Sequence, residues 1–234
     1  MNSITDMKNL KTAIPTIVAT TLVFSATAFR AVAAEELVPL ELKLPAEAFK
    51  GTPKDLPEGM VVEPLSDKPR PALMVPPGCV NLVEGLIPSC TDSNASQAKL
   101  VKITDGNKGA YEEHIALLRK GVQSVTFDLK NPAEIYAIVI WHAHDASKVY
   151  RSVVVQIADD AGFTKNVRTL FNNDTENLAG QGAGTDRQYF ESYEGKLIAA
   201  KGAKAQFVRM FSRGSTESAL NEYTEVEVWG KPVK

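Results

Sequence analysis

The sequence predicts an all-β protein, an antiparallel β-sandwich of the jelly-roll type, preceded by an irregular proline-rich arm. From about residue 95 onward, short apolar or alternating runs are separated by Gly, Asn, Asp and Pro, as in sheets joined by turns. Roughly seven or eight such runs fall within about 135 residues, and only residues 111–119 resemble a helical turn. Before them, a dense series of prolines argues against regular structure.

The N-terminal residues 1–34 have the pattern of a secretory signal peptide. Lys8 and Lys11 precede an apolar run over residues 13–29, and Ala31-Val32-Ala33-Ala34 supplies small residues for cleavage. Hydroxyl side chains interrupt the run, so a retained membrane anchor is the weaker interpretation. No other stretch is apolar enough to cross a membrane. We therefore expect a secreted or periplasmic protein.

Residues 35–94 are predicted to be an extended arm or linker. Each proline removes a backbone donor and disfavours helix and central strand. Because leucines recur along this tract, it could also wrap around a protein partner. Ten of the chain's 13 prolines lie here, at positions 39, 45, 53, 57, 64, 69, 71, 76, 77 and 88.

The chain has two cysteines, Cys79 and Cys90, both within this tract. In an oxidising compartment, an even pair so close in sequence most simply forms one disulfide. A metal site is a poor alternative, because the spacing is not Cys-x2-Cys and no His is near. We therefore predict a Cys79–Cys90 disulfide.

The formal net charge is −2, with charges of both signs interspersed. Such a chain lacks the basic surface that nucleic acid or an anionic membrane would attract. Neither partner is expected.

The predicted sandwich domain covers residues 95–231. Val125, Phe127 and Leu129 alternate with polar residues, giving a strand with one buried face that Asn131-Pro132 is expected to end. A continuous apolar run at 135–141 predicts a central strand covered on both faces. The other predicted strands are 150–158, 167–171, 189–192, 196–199, 205–212 and 223–230.

Five segments in this order carry a family resemblance: Thr104-Asp-Gly-Asn107, Val125–Leu129, Val153–Asp160, Phe207–Met210 and Glu225–Gly230. Together they resemble the discoidin, or coagulation-factor type C, superfamily of galactose-binding-like domains. The tryptophan that usually follows the Asp-Gly-Asn segment and the disulfide of many animal members are absent. The resemblance therefore fits bacterial members better, and it implies a binding module rather than a catalyst.

The same resemblance implies a structural calcium ion. Carried over residue by residue, its ligands are the side chains of Asp105, Asn107 and Glu225, helped by carbonyls near Lys102 and Thr224. Hard oxygen ligands of this kind suit Ca²⁺. The alternative is an Asp-Gly-Asn turn beside a solvated Glu.

A candidate ligand site begins at the exit of the central strand. His142 and His144 face the same way on an extended chain, and Arg151 follows. They could hydrogen-bond sugar hydroxyls, as His and Arg do in galactose-binding relatives, bind a transition metal, or simply be polar residues at a strand exit. The long, Gly-rich loop 172–187 adds Asn172 and Arg187 as candidate ligand contacts.

No Gly-x-Ser-x-Gly or His-Glu-x-x-His motif occurs, so we expect no enzymatic activity. The function that follows is non-catalytic recognition of carbohydrate, or of another surface ligand, by loops at one end of the sandwich. Tyr111 or Tyr150 would offer an apolar face to the sugar. Alternatives are a structural or assembly component that binds a protein partner, and a hydrolase whose site lies at 142–151.

Overall fold

A computed structural model of the chain describes residues 36–49, 51–53 and 56–233. The predicted signal peptide, residues 1–34, lies outside these ranges. Within them, no helix has the length and apolar character needed to span a membrane. The strands are β1 Val38–Pro39, β2 Met74–Val75, β3 Val80–Asn81, β4 Ser89–Cys90, β5 Ala116–Leu118, β6 Gln123–His142, β7 Val154–Ala158, β8 Arg168–Asn172, β9 Lys196–Ser212 and β10 Asn221–Pro232. The helices are α1 Gln97–Leu100 and two 3₁₀ turns, Val101–Ile103 and Glu112–His114.

The strands pair in the order β3-β10-β6-β9-β7-β8, with β4 beside β6 and β5 beside β10. Every one of these pairs is antiparallel, and β1 and β2 form a separate antiparallel pair. The all-β sandwich prediction is confirmed.

The two layers arise from two long bent strands, β6 and β9. Asp128 pairs with Phe207 but Ala133 pairs with Ala205, so four residues of β6 oppose one of β9 and the strand bends there. Before the bend, β6 joins the layer of β4, β7 and β8; after it, β6 joins the layer of β10. Pro132 sits beside this bulge, where a missing donor is tolerated. The prediction that Asn131-Pro132 ends the strand is therefore wrong.

The main core lies between the layers. Phe127 and Met210 come from one layer, and Ile138, Ile140 and Val226 come from the other; all are at most 1% exposed. The alternating and continuous apolar runs of the sequence thus fill one interior.

The loops that join the strands lie at two opposite ends of the sandwich. The loop end comprises residues 143–153, 173–195 and 213–220, and the bend end comprises residues 128–133, 159–167 and 201–206. At the loop end the hydroxyl of Ser212 donates to Asn221 Oδ1 (2.8 Å) and lies 2.9 Å from the hydroxyl of Tyr223, joining the two layers.

The described part of the predicted arm lies against the sandwich. Leu40 and Val75, both buried, pack with Ala137 in a second small core. Farther along, Arg70 donates to the backbone carbonyls of Gly195 (2.6 Å) and Glu194 (2.9 Å). These contacts place the segment around Arg70 at the loop end.

The structure contains no Cys79–Cys90 disulfide, so that prediction is corrected. Cys79 packs in the small core with β1 and β2, next to β3. Cys90 lies on β4 opposite Val125, and its thiol contacts the carbonyl of Asp92 (3.4 Å). Since β3 extends one layer and β4 the other, closeness in sequence does not bring the two sulfurs together.

Candidate functional site

His142 lies at the end of β6 in the interior of the loop end. Its Nδ1 is 3.0 Å from Glu191 Oε2, and neither side chain is exposed. The imidazole stacks on Tyr150 at 4.0 Å between ring centroids and contacts Tyr223 at 4.6 Å. Burial raises the pKa of the Tyr150 hydroxyl well above its ordinary value, and this hydroxyl donates to Glu222 (2.9 Å). His142 therefore links β6 to Glu191, Tyr150 and Tyr223 inside the loop end.

His144 is equally buried, with Nε2 2.9 Å from the carbonyl of Lys108. Because both imidazoles are buried, neither is accessible to a ligand on the surface. Tyr150 is also buried, so it offers no face to a sugar, whereas Tyr111 is 68% exposed and lies edge-on to His114.

Asn172 organises the long loop that follows β8. Its backbone N–H donates to Asp186 Oδ2 (2.6 Å) and its side-chain amide donates to the carbonyl of Gly182 (3.0 Å). Gly184 passes so close that a Cβ there would collide with the Asn172 carbonyl. A glycine is needed at that crossing, and Asn172 acts as a clamp within its own loop.

The cavity that these loops enclose, which we call the loop-end groove, measures about 200 Å³ and is lined by Met60, Arg151, Asn173, Gln188 and Arg213 among others. Three of these lining residues each carry a buried polar atom without a hydrogen-bond partner among the described residues: Arg151 Nε, Asn173 Nδ2 and Gln188 Oε1. Buried polar groups are normally paired. This groove therefore has unused hydrogen-bonding capacity.

A second cavity of about 480 Å³ shares Met60 and Gln188 with the groove and is lined by the exposed Arg187. The structure thus brings Arg151, Asn172 and Arg187 to one end of the sandwich.

One wall of the groove comes from the arm. Gln188 donates its backbone N–H to the carbonyl of Val61 (3.0 Å) and accepts from Glu63 N–H (2.7 Å). Pro57 and Met60 consequently line both cavities. Sequence reasoning did not select these arm residues, because nothing local indicates which distant loop an extended segment will pair with. Asn173, Gln188 and Arg213 were also missed, although Asn173 belongs to the loop predicted to contact a ligand.

The predicted calcium ligands surround a gap along β10. On the edge of β10 away from β6, β5 pairs with Asn221–Tyr223 and β3 with Trp229–Gly230. Glu225 lies between them, pairs with Trp141 of β6 on the other edge, and contacts the 104–109 turn through its side chain. Its Oε2 accepts from the N–H of Gly106 (3.1 Å). In the turn, Asp105 Oδ1 accepts from Asn107 N–H (2.8 Å), and Asn107 Oδ1 accepts from Gly109 N–H (3.2 Å).

Glu225 is 1% exposed. Burial raises the pKa of its carboxyl to about 8; the nearby Lys108 opposes this shift, while Glu227 and Asp105 add to it. Lys108 itself forms an ion pair with Glu227 (2.6 Å). Across the described residues, no cluster of three or more His, Cys, Asp or Glu side chains is arranged to hold a metal ion. A cation here would need the amide oxygen of Asn107 or backbone carbonyls as well.

No protein-family model and no curated protein sequence matches the chain. Its structure is similar to solved carbohydrate-binding modules. The module CpGH89CBM32-4 of Clostridium perfringens, in complex with GlcNAc-α-1,4-galactose, is 14% identical, with a TM-score of 0.44 over 66% of this chain and 96% of that one. A chitosan-binding module from a Paenibacillus sp. IK-5 chitosanase/glucanase is 15% identical, with a TM-score of 0.41 over 64% and 99%.

A family 89 glycoside hydrolase of C. perfringens, in complex with PUGNAc, is 15% identical with a TM-score of 0.47. The match covers 66% of this chain but only 15% of the length of that enzyme.

Proposed function

We propose that this protein is a non-catalytic module that binds carbohydrate in the loop-end groove, and that it acts outside the cytoplasm. The observation that carries the proposal is that three residues lining the groove each hold a polar atom without a partner in the described part of the chain, Arg151 Nε, Asn173 Nδ2 and Gln188 Oε1. Sugar hydroxyls both donate and accept, so one saccharide can satisfy donors and acceptors together. Met60 and Leu178 line the same cavity and offer apolar surface to the C–H face of a sugar ring.

The buried layer beneath the groove supports this role. Its hydrogen bonds and ring contacts hold the loops from within, since His142 and Glu191 pair and Tyr150 stacks on the imidazole. A site whose supporting side chains are already fixed loses less conformational entropy when it binds.

The direct test is binding of the purified protein to an array of neutral and acidic glycans. We expect retention of a defined subset, lost when Met60 is changed to Asp. Met74→Asp is the matched control, because Met74 is an exposed methionine on β2 that lines neither cavity of the loop end. An array without any retained glycan would overturn the proposal.

We also propose that Ca²⁺ binds between the 104–109 turn and β10. A buried carboxyl with a raised pKa beside a second carboxylate is unfavourable when ionised, and a cation relieves both charges. Glu225, Asp105 and Asn107 would supply oxygen ligands of the kind that Ca²⁺ prefers. The ion would tie the turn to the strand.

The calcium proposal is tested by melting the protein with calcium and with a chelator. At hundredfold excess over its dissociation constant, one bound ion adds about 2.7 kcal/mol to the free energy of unfolding. Asp105→Ala should abolish this difference, and Glu217→Ala, at an exposed carboxylate of the loop end, should leave it unchanged. Coincident melting curves for the unmodified protein would refute the site.

A further inference from the structure

We infer that the loop-end groove selects saccharides that carry a carboxylate, and that Arg151 and Arg213 bind this carboxylate together. The inference rests on the proposed function, because it names the class of sugar for the same groove.

The two arginines are neighbours on paired backbone segments. Arg213 N–H donates to the carbonyl of Arg151 (2.8 Å), and Arg151 N–H donates to that of Gly214 (2.9 Å). Both side chains line the groove. Like charges held opposite each other on paired segments repel. The fold nevertheless brings two cationic side chains to the same groove.

Nothing in the described ranges neutralises the pair by direct contact. Neither guanidinium has a hydrogen bond or ion pair there, and Arg151 Nε is also buried. Arg119 and Arg70, by contrast, each have a carboxylate or carbonyl partner. An anionic ligand group bound by Arg151 and Arg213 would supply the acceptor that both guanidinium groups lack within the described residues.

Two acidic residues also line the groove, but neither forms an ion pair with Arg151 or Arg213. Asp174 Oδ2 accepts from Ala179 N–H (2.7 Å), so this buried carboxylate stabilises its own loop. Glu176 is exposed, where solvent screens its charge.

A carboxylate fits this pair because it is planar and accepts two parallel hydrogen bonds from a guanidinium. A saccharide fits because Asn173 Nδ2 and Gln188 Oε1, on the same walls, offer a donor and an acceptor for hydroxyl groups. A uronic acid carries both kinds of group on one ring.

The test compares short oligomers of galacturonate, mannuronate and glucuronate with their methyl esters, which keep the shape but lose the charge. Titration calorimetry with the full chain should give at least one acidic oligomer that binds about tenfold or more tightly than its ester. The preference should shrink as salt is raised. Acetate at equal carboxylate concentration should not compete, because it lacks the hydroxyl groups.

Arg151→Gln and Arg213→Gln should each reduce the affinity for the acidic oligomer about tenfold, towards that of the ester. Arg213→Lys should lose part of it, since Lys keeps the charge but not the fork. Lys165→Gln, which removes a positive charge at the bend end, is the matched control and should bind like the unmodified protein. Circular dichroism and melting curves verify that each variant is folded.

Equal binding of acids and esters, or an unchanged acid preference in the Arg151→Gln/Arg213→Gln double variant, would overturn the inference while leaving carbohydrate binding intact. If neutral and acidic saccharides all fail to bind, the proposed function falls with it. If acetate competes as well as the oligomer, the site is an anion site only and the inference is wrong.

Discussion

Two carboxylates of the bend end differ from Glu225, a buried carboxylate of β10, in the direction in which their surroundings shift the pKa. At the bend end, Asp160 accepts from the N–H groups of Thr164 (2.9 Å) and Lys165 (2.7 Å), and the first of the causes that lower its pKa is the bond from Lys165. Asp128 accepts from Gln206 (3.0 Å), which is the main reason its pKa is lowered. On the loop-end side, burial raises the pKa of Glu225 to about 8.

Within the described ranges, buried side-chain atoms without a hydrogen-bond partner are more frequent at the loop end than at the bend end. Of the buried side-chain atoms without a partner in the described residues, Asn173 Nδ2, Gln188 Oε1 and Tyr189 OH lie at the loop end, whereas Arg168 Nε lies next to the bend end. Unmade hydrogen bonds inside a protein cost stability. At the bend end, the polar groups find their hydrogen-bond partners within the turns of the protein itself. At the loop end, some polar groups lack partners among the described residues, and a bound ligand or ion would supply them.

The largest expected effect is the pH dependence of stability that Glu225 imposes. Its pKa of about 8 lies above the unfolded value of about 4.3, so the folded protein keeps a proton that the unfolded chain has released. The free energy of unfolding should therefore fall as pH rises from 5 to 8, by about 4 kcal/mol in chelator at about 1.4 kcal/mol per unit.

Denaturant titrations at several pH values measure this slope. Glu225→Gln should remove it, since an amide does not titrate, and Glu217→Gln should preserve it. Asp128 gives the opposite sign at the bend end: its lowered pKa stabilises the fold above about pH 4, and this stabilisation is lost at lower pH. A stability that stays constant from pH 5 to 8 in chelator would remove the contrast between the two ends.

The second prediction concerns the buried pair beneath the groove. His142→Phe keeps a ring against Tyr150 but leaves Glu191 buried without its partner, which should cost about 3 kcal/mol. Chemical unfolding measures this cost, and the double variant His142→Phe/Glu191→Leu should recover part of the loss through a double-mutant cycle. If the free-energy costs of the two single changes add up to that of the double variant, His142 and Glu191 do not stabilise each other, and the prediction is wrong.

Sequence patterns predicted those parts of this molecule that depend on neighbouring residues. Alternation in residues 223–230 marks β10 because Val226 and Val228 face the main core, while Glu225 and Glu227 lie on the other face of the strand. The bend at Pro132 was not predictable, since Asn-Pro reads locally as a stop and the register with β9 turns it into a bulge. The His142–Glu191 contact spans 49 residues of chain, and no local signal pairs them.

The predicted site residues likewise divide into those whose position follows from neighbouring residues and those whose position depends on distant contacts. Arg151 and Arg187 reach the loop end because they follow strand exits, and all such exits at one end of an antiparallel sandwich gather there. That His142 would be buried depends on the arrangement of Tyr150, Tyr223 and Glu191 around it. The arm residues that line the groove are determined by how the arm packs against the loop around Gln188. The spacing of the prolines does not indicate this packing.

A smaller effect is expected from releasing the arm. Arg70→Ala removes two hydrogen bonds from a charged donor to the carbonyls of Glu194 and Gly195, which should cost about 1–2 kcal/mol. Hydrogen exchange should quicken at Gln188 and along residues 57–71 while the bend end keeps its protection. Equal acceleration at both ends would indicate global destabilisation and would contradict local docking of the arm.

The smallest effect should come from the bend end itself. Glu134 and Lys204 form an ion pair at 3.4 Å, with side chains 34% and 65% exposed. Exposed pairs are screened by water and salt, so Glu134→Gln should change the free energy of unfolding by less than about 1 kcal/mol. Glu134 also accepts from the Tyr136 hydroxyl at 3.2 Å, a bond that the Gln side-chain oxygen can still accept. A cost as large as that of His142→Phe would mean that the bend end relies on its polar contacts as heavily as the loop end does, and the contrast on which the groove and calcium proposals depend would fail.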